Sequence, residues 1–183
     1  MRIAALVKQV ATADETDLEM SPGCRRAVSQ AVDLADQSDG SCTFITLGPP
    51  STVDALREAL AWALERDVHA DGVRVVDPDA ATSDARVSAH AVAVAVERLG
   101  PFDLVVIGHT ATDADTVDLG TELAMLLGLP FLTDAGWRPD DPVLPTVLAP
   151  SAHLQIDPCA VDPPGRAAVP AHLLRTLSAV DLA

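Results

Sequence analysis

Tyrosine is absent from this chain of 183 residues, and Lys8 is its only lysine. The chain has 12 Lys and Arg against 27 Asp and Glu, which gives a formal net charge of -15. A surface so poor in positive charge repels the phosphates of nucleic acids and the headgroups of anionic lipids. We therefore expect a protein that binds no nucleic acid and inserts into no membrane.

Cysteine and long apolar segments are also scarce. The three cysteines, Cys24, Cys42 and Cys159, lack the C-x-x-C spacing of zinc sites and redox pairs. The apolar runs are too short to span a bilayer, and the first residues do not have the pattern of a signal peptide. The sequence thus predicts a cytoplasmic protein without a disulfide framework or a zinc site.

The local signatures of common catalytic sites are missing as well. The chain contains no G-x-S-x-G, no P-loop and no G-x-G-x-x-G motif. Its five histidines show no H-E-x-x-H or H-x-x-x-H spacing. We therefore assign no catalytic residue and expect a protein that is not an enzyme by itself.

Short apolar runs recur along the chain at residues 3–7, 42–47, 73–76 and 104–107. Because these runs lack polar alternation, they are typical of strands buried on both faces of a parallel sheet. Each is followed by a segment of helical character, and we predict helices at 24–36, 55–66, 85–99 and 118–127. The alternation predicts an α/β fold with a doubly wound, mostly parallel sheet.

Prolines change the character of the last third, where eight of them lie between residues 139 and 170. Such density forbids a long central strand or helix. We expect a nucleotide-binding-like domain over residues 1–135 and a Pro-rich extension over 136–183, packed on the same domain or on a partner. In the extension we predict strands at 143–148 and 153–156 and a short helix at about 171–179.

The predicted site lies where the strands end. Open parallel sheets bind ligands outside the carboxyl ends of their strands, and a loop leading into a helix offers backbone N–H groups to anions. Lys8 follows the first predicted strand, Leu47 and Gly48 end the second, and the loop from Gly108 follows the fourth, with His109 in it. We predict that these residues line one crevice. For Lys8, a solvated charge at a strand end is the alternative.

Three aspartates complicate an anion site in this crevice. Asp113, Asp115 and Asp118 would each oppose a bound phosphate by about 1 kcal/mol at about 4 Å in water. Either a cation bridges the carboxylates or no phosphate lies close to them. Their spacing lacks the ligand set of a calcium-binding loop. We interpret them as helix-capping or loop-shaping residues and predict no metal site.

Several short motifs follow one another in a recognisable order. They are Leu6-Val-Lys-Gln-Val10, Met20-Ser-Pro22, Thr46-Leu-Gly-Pro49, Ala55-Leu-Arg-Glu-Ala-Leu-Ala61, Asp103-Leu-Val-Val-Ile-Gly108, Asp113-Ala-Asp115 and Gly120. Over residues 1 to about 135 this set resembles the beta subunit of electron transfer flavoprotein. The resemblance implies a fold of the adenine-nucleotide-binding type, which is shared with universal-stress proteins. It also implies an alpha subunit that holds most of an FAD, and a flavin dehydrogenase as electron donor.

The beta subunit of that family also binds AMP in its own crevice. The residues that the resemblance and the strand-end argument together place there are Leu6, Lys8, Ser21, Leu47, Gly48, Gly108, His109, Thr110, Asp113, Asp115, Thr116, Val117 and Asp118. Where the family usually has Asn-Gln-Thr, this chain has Val117-Asp118-Leu119. The loss of donors and the added charge should weaken AMP binding.

The residues leave two other functions open. A stand-alone nucleotide-binding regulatory protein of the universal-stress type shares the architecture, although the usual late glycine-rich phosphate loop is not visible here. A scaffold that kept the fold and lost every ligand would account for the Val117-Asp118-Leu119 replacement. Tight ATP binding by the isolated chain would favour the regulatory protein over the electron-transfer subunit.

Overall fold

The computed structural model of the chain describes residues 1–11, 18–76, 85–108, 114–133, 146–149 and 169–178. The strands are β1 (Arg2–Leu6), β2 (Gln9–Ala11), β3 (Leu18–Met20), β4 (Ser41–Leu47), β5 (His69–Val76), β6 (Leu104–Ile107), β7 (Phe131–Thr133), β8 (Thr146–Ala149) and β9 (Leu174–Ser178). The α-helices are α1 (Pro22–Gln37), α2 (Val53–Glu65), α3 (Ala85–Leu99) and α4 (Ala114–Leu127). Short 3₁₀ turns lie at Pro50–Thr52 and Ala171–Leu173.

Seven of these strands form one sheet, in the order β7-β8-β6-β1-β4-β5-β9. Every neighbouring pair in this sheet runs parallel. The strands β2 and β3 pair with each other in an antiparallel hairpin between β1 and α1. The predicted parallel α/β sheet is therefore confirmed.

Helices cover both faces of the sheet. Successive side chains of a strand point to opposite faces, so Ala5 and Phe44 join one buried cluster and Leu6 and Ile45 join another. The first cluster contains residues of α1 and α2, and the second contains residues of α3 and α4. This two-sided cover is the doubly wound arrangement that the sequence predicts.

The helix α2 shows why the local sequence suits this packing. Leu56, Ala59, Leu60 and Ala63 follow the i, i+3, i+4, i+7 spacing of one helical face, and all are fully buried against the sheet. Truncating a buried leucine of this kind to alanine costs about 2–5 kcal/mol. The apolar stripe of α2 therefore fixes the helix on β4 and β5.

The predicted helix at about 171–179 is wrong. A 3₁₀ turn is followed there by β9, which pairs in parallel with β5 from Leu174 opposite Gly72 to Ser178 opposite Val76. Eight or nine residues make a marginal helix by themselves, whereas pairing with β5 satisfies the backbone groups along one side of the strand. The long-range pairing decides the structure of this segment.

Other boundaries also differ from the predictions. The hairpin of β2 and β3 and the strand β7 were not predicted, and β8 covers Thr146–Ala149 instead of 143–148. The predicted strand at 153–156 lies outside the described residues. Both β8 and β9 come from the Pro-rich part of the sequence, and both are strands of the main sheet.

Candidate functional site

A crevice site is set by the point where the strand order reverses. From β1 the chain proceeds to β4 and β5 on one side, and through α3 it then crosses to β6 on the other side of β1. In such sheets the ligand crevice lies outside the carboxyl ends of the two strands that flank the reversal. Leu6 ends β1 opposite Ile107 of β6, so the predicted residues Leu6 and Gly108 lie at this point.

Gly108 packs directly on the first turn of α1. A Cβ atom added at Gly108 would lie 2.5 Å from the backbone N of Cys24 and 2.5 Å from the carbonyl carbon of Gly23. Both neighbours are backbone atoms, so neither can rotate away as a side chain does. Only glycine allows this close approach, which brings the exit of β6 against α1.

The backbone around the first turn of α1 is largely hydrogen-bonded within the protein. The Ser21 hydroxyl accepts the N–H of Cys24 at 3.2 Å, and the Ser21 N–H donates to the Lys8 carbonyl at 2.9 Å. The N–H of Lys8 in turn donates to the Cys24 Sγ at 3.2 Å. Pro22, the first helical residue, has no N–H. Ser21 is thus a buried helix cap whose hydroxyl oxygen accepts a hydrogen bond from the helix backbone.

The structure brings part of the predicted site together. Leu6, Lys8, Ser21 and Gly108 meet around β1, β6 and α1, while Leu47 and Gly48 lie at the end of the neighbouring strand β4. Lys8 is exposed, and Leu47 and Gly48 are half-buried. His109, Thr110 and Asp113 lie outside the described residues.

The predicted loop is shorter than expected, because α4 starts at Ala114 and not at Asp118. The backbone of Asp115, Thr116, Val117 and Asp118 therefore belongs to the first turns of a helix. Acidic residues are favourable at a helix N-terminus because they oppose the positive end of the helix dipole. The apolar pattern alone did not reveal these turns.

An ion pair with one fully buried end joins α1 to α2. The Arg25 Nε donates to the Glu58 Oε1 at 2.8 Å, and Glu58 is 0% exposed. The other arm of Arg25 lies 3.1 Å from a Glu19 carboxylate oxygen on β3. Burial opposes the charge of Arg25, but the hydrogen bond and charge of Glu58, helped by Glu19, outweigh it and raise the pKa of Arg25. The network joins the hairpin to both helices.

Sequence reasoning missed a polar cluster beside Gly48. An Nη atom of Arg74 on β5 lies 3.4 Å from the Gly48 carbonyl oxygen. Thr46 on β4 is paired in register with Arg74 and is 2% exposed, and its buried hydroxyl has no hydrogen-bond partner within the described part of the chain. A charged residue inside the apolar run Val73-Arg-Val-Val76 was the available signal.

The two described cysteines, Cys24 and Cys42, are free and buried. Burial raises the pKa of the Cys42 thiol to about 12, and its Sγ donates to the Ala31 carbonyl at 3.4 Å. A thiol with so high a pKa is a poor nucleophile at neutral pH. Cys42 is therefore a packing residue at the start of β4.

The described residues show neither a candidate metal cluster nor a membrane-spanning helix. They contain no group of three or more His, Cys, Asp and Glu side chains placed to hold a metal ion. Of the helices within the same residues, none is long and apolar enough to cross a membrane.

Comparison with known proteins places the chain in a family. It matches the electron transfer flavoprotein domain over residues 9–144. It is 37% identical over 111 residues to Protein FixA of Azorhizobium caulinodans, covering 58% of this chain and 38% of that protein. It is 32% identical over 114 residues to the electron transfer flavoprotein subunit beta of Clostridium acetobutylicum, covering 62% and 42%.

A more specialised relative and a solved structure also match. The acryloyl-CoA reductase electron transfer subunit gamma of Anaerotignum propionicum is 29% identical over 116 residues, covering 62% of this chain and 42% of that protein. A universal stress protein family structure from Burkholderia pseudomallei gives a TM-score of 0.45 at 17% identity, covering 82% of this chain and 96% of that one.

The chain matches about two fifths of the length of the FixA and beta-subunit relatives. The family match itself, however, covers well over half of the chain and includes Ser21, Gly48 and Gly108, while Leu6 and Lys8 precede it. The chain belongs to the electron transfer flavoprotein domain family, as a divergent member related to the beta subunits.

Proposed function

We propose that this chain acts in the cytoplasm as an electron transfer flavoprotein beta-like subunit. It would pair with an FAD-bearing alpha-like subunit and pass electrons from a flavin dehydrogenase to a downstream acceptor. The main support is the family match over residues 9–144, combined with a crevice at the strand reversal where Gly108 packs against α1. Enzymatic activity by the chain alone forms no part of the proposal.

The described side of the crevice suits a subunit that contributes to a cofactor site without enclosing one. The Ser21 hydroxyl and the N–H groups of Lys8 and Cys24 are used within the protein. Of the predicted site residues whose side chains are described, only Lys8 is charged, and it is exposed. When bound, FAD would supply the redox chemistry, and the protein would position it and adjust its electrostatic surroundings. We propose that the alpha-like partner holds most of this FAD.

AMP is a second ligand that we propose for the crevice, at weakened affinity. The first N–H groups of any α-helix lack intrahelical partners, so the first turn of α4 offers donors to a phosphate. Asp115 and Asp118 lie in the first turns of the same helix. Each carboxylate at about 4 Å from the phosphate would cost about 1 kcal/mol in water. Two such costs correspond to a loss of about 30-fold in affinity.

Coexpression tests the proposal. The chain would carry an affinity tag and be expressed with a candidate alpha subunit from a neighbouring reading frame, and the complex would be weighed by light scattering. We expect a heterodimer, and acid-released nucleotides should include FAD together with a substoichiometric amount of AMP. A monomer that releases neither nucleotide would contradict the proposal.

The same experiment separates the remaining functions. A partnerless chain that retains ATP would indicate a nucleotide-binding regulatory protein. A partnerless chain without nucleotide would indicate a scaffold. The variant Gly108→Ala should reduce complex formation, because its Cβ collides with the α1 backbone. Gly128→Ala is the matched control, since its added Cβ has no atom within 4 Å. Equal complex formation by both variants would mean that the crevice does not affect partner binding.

A further inference from the structure

A cavity lies at the amino ends of the strands, opposite the strand ends where the ligand crevice is predicted. Its volume is about 340 Å³, near the lower end of the range of about 300–1,000 Å³ found for small-molecule pockets. The residues that give it chemical character are Arg2, Ser41, His69, Asp71, His172 and Arg175. Leu99, the last residue of α3, also lines it.

The strand register explains why these side chains converge. Arg2 of β1 pairs with Ser41 of β4, which pairs with His69 of β5, so the three form one row across the sheet. Neighbouring strands are about 4.8 Å apart. Side chains at paired positions of parallel strands point to the same face, and the contact of Arg2 with the end of α3 places that face under α3. Arg175 reaches the same place from β9 through an ion pair with Asp71.

The guanidinium groups keep donors available for a ligand. Within the described residues, the guanidinium of Arg2 makes one hydrogen bond, to the Leu99 carbonyl at 3.1 Å, and lies 5.3 Å from the centre of the Phe102 ring. The guanidinium of Arg175 is bonded to Asp71. Because each guanidinium has five N–H donors, most of them are left for another acceptor. Both arginine side chains are exposed to the cavity and to solvent.

The charge of the cavity is opposite to that of the molecule. The chain as a whole has a formal net charge of -15 with its histidines counted as neutral. On the same count the cavity lining, with two arginines against the single carboxylate of Asp71, has a formal charge of +1. The carbonyl end of α3 adds partial negative charge, which the hydrogen bond from Arg2 to Leu99 offsets. Arginine forks suit planar or tetrahedral oxyanions, which they bind with paired hydrogen bonds.

We propose that this cavity binds a small oxyanion, either a phosphate group or a carboxylate on a small metabolite. Arg2 and Arg175 supply the charge-assisted hydrogen bonds, and the hydroxyl of Ser41 and the imidazoles of His69 and His172 complete the set of polar groups. The site lies at the amino ends of the strands, whereas the crevice lies at their carboxyl ends. It does not depend on the proposed electron-transfer function and would persist if that function failed.

An NMR titration of the full ¹⁵N-labelled chain tests the proposal. Inorganic phosphate and succinate would be added separately at constant ionic strength, balanced with chloride. We expect saturable shifts of the Ser41, Ala70 and Leu173 amides with at least one probe, while the Gly48 and Gly108 amides stay in place. Whichever probe binds more tightly distinguishes a phosphate ligand from a carboxylate ligand.

Two variants and a charge-matched control complete the test. Arg175→Gln should weaken binding about tenfold, and His172→Gln should weaken it by a smaller factor without breaking the ion pair with Asp71. Arg57→Gln removes an exposed arginine on α2, far from the cavity, and should leave the affinity unchanged. Shifts that do not saturate with either probe, or an equal loss of affinity in Arg57→Gln, would overturn the proposal. Unchanged amide shifts outside the mutated sites would verify that each variant is folded.

Discussion

Removing Arg25 should destabilise the protein more than removing its partner Glu58. The reason is the difference in burial between the two ends of the ion pair. Glu58 is 0% exposed and 2.8 Å from the Arg25 Nε, so Arg25→Met removes a cation from beside a carboxylate inside the protein. Breaking a buried pair in this way costs about 3–5 kcal/mol.

The reverse change leaves a charge that is partly exposed to water. The Arg25 side chain is 22% exposed and has a second acceptor on Glu19 at 3.1 Å. In Glu58→Gln the cation stays partly hydrated and paired, and the new amide oxygen can still accept a hydrogen bond. We expect a cost of about 1–3 kcal/mol, the usual value for a weakened charged hydrogen bond. The two variants should therefore differ by about 2 kcal/mol.

Urea unfolding of the purified full chain, followed by circular dichroism, measures these free energies. The double variant Arg25→Met/Glu58→Met should be more stable than Arg25→Met alone, because it also removes the buried carboxylate that has lost the Arg25 cation. The control Arg57→Met breaks an exposed pair with Asp54 and should cost only about 0–1 kcal/mol. If Arg25→Met proved as mild as this control, the assigned burial of Glu58 would be wrong. Since the pKa of Arg25 is raised, the stability that its charge provides is complete below its ordinary pKa and is lost only above the raised one. The order of stability of these variants should therefore not change with pH near neutrality.

Three further predictions concern other parts of the molecule. Gly108→Ala should lower the free energy of unfolding by about 1–3 kcal/mol or more, because the added Cβ meets the α1 backbone at 2.5 Å. Gly128→Ala, at φ +63, should lower it by only about 1 kcal/mol through backbone strain. Thermal unfolding measures both variants, and equal losses of stability would contradict the prediction. Because burial raises the pKa of Cys42, the stability that this thiol provides is complete below its unfolded pKa of about 8.5 and is lost as the pH rises toward about 12. Between about pH 8.5 and pH 10, urea unfolding should therefore show Cys42→Ala losing less stability than the natural chain, by up to about 1.4 kcal/mol per pH unit. Parallel curves of unfolding free energy against pH for the two proteins would refute this. Lys8→Gln should lower the amount of AMP recovered from the coexpressed complex. Chromatography of the released nucleotides measures this amount, with Arg57→Gln as the charge control. An unchanged amount of AMP would indicate that Lys8 is only a solvated charge at a strand end.

The central part of the fold could be predicted because it depends on local pattern. Apolar runs without alternation located β1, β4 and β6, and the apolar stripe with Leu56 and Leu60 located α2. The edge strand β9 could not be found in this way, since its structure depends on pairing with β5, about 100 residues earlier in the chain. The start of α4 was missed because its first residues are polar and acidic.

The candidate site, too, could be predicted only in part from the sequence. The rule that ligands bind at strand ends predicted a site at Lys8, Gly48 and Gly108, whereas Leu6 was predicted from the family resemblance. It could not reveal that Gly108 packs against α1, or that Arg74 lies beside the Gly48 carbonyl. Such contacts join segments that are distant in sequence, so their distances become known only once the sheet register is fixed. The functions proposed for the individual site residues stay predictions.

The visible absorbance spectrum of a complex isolated through a tag on this chain tests the central proposal most directly. If the chain is a beta-like subunit, the complex with its alpha-like partner should show flavin bands with one FAD per copy of this chain. Those bands should disappear on anaerobic addition of the dehydrogenase and its substrate. A colourless preparation, or flavin bands that the dehydrogenase leaves unchanged, would contradict the electron-transfer function.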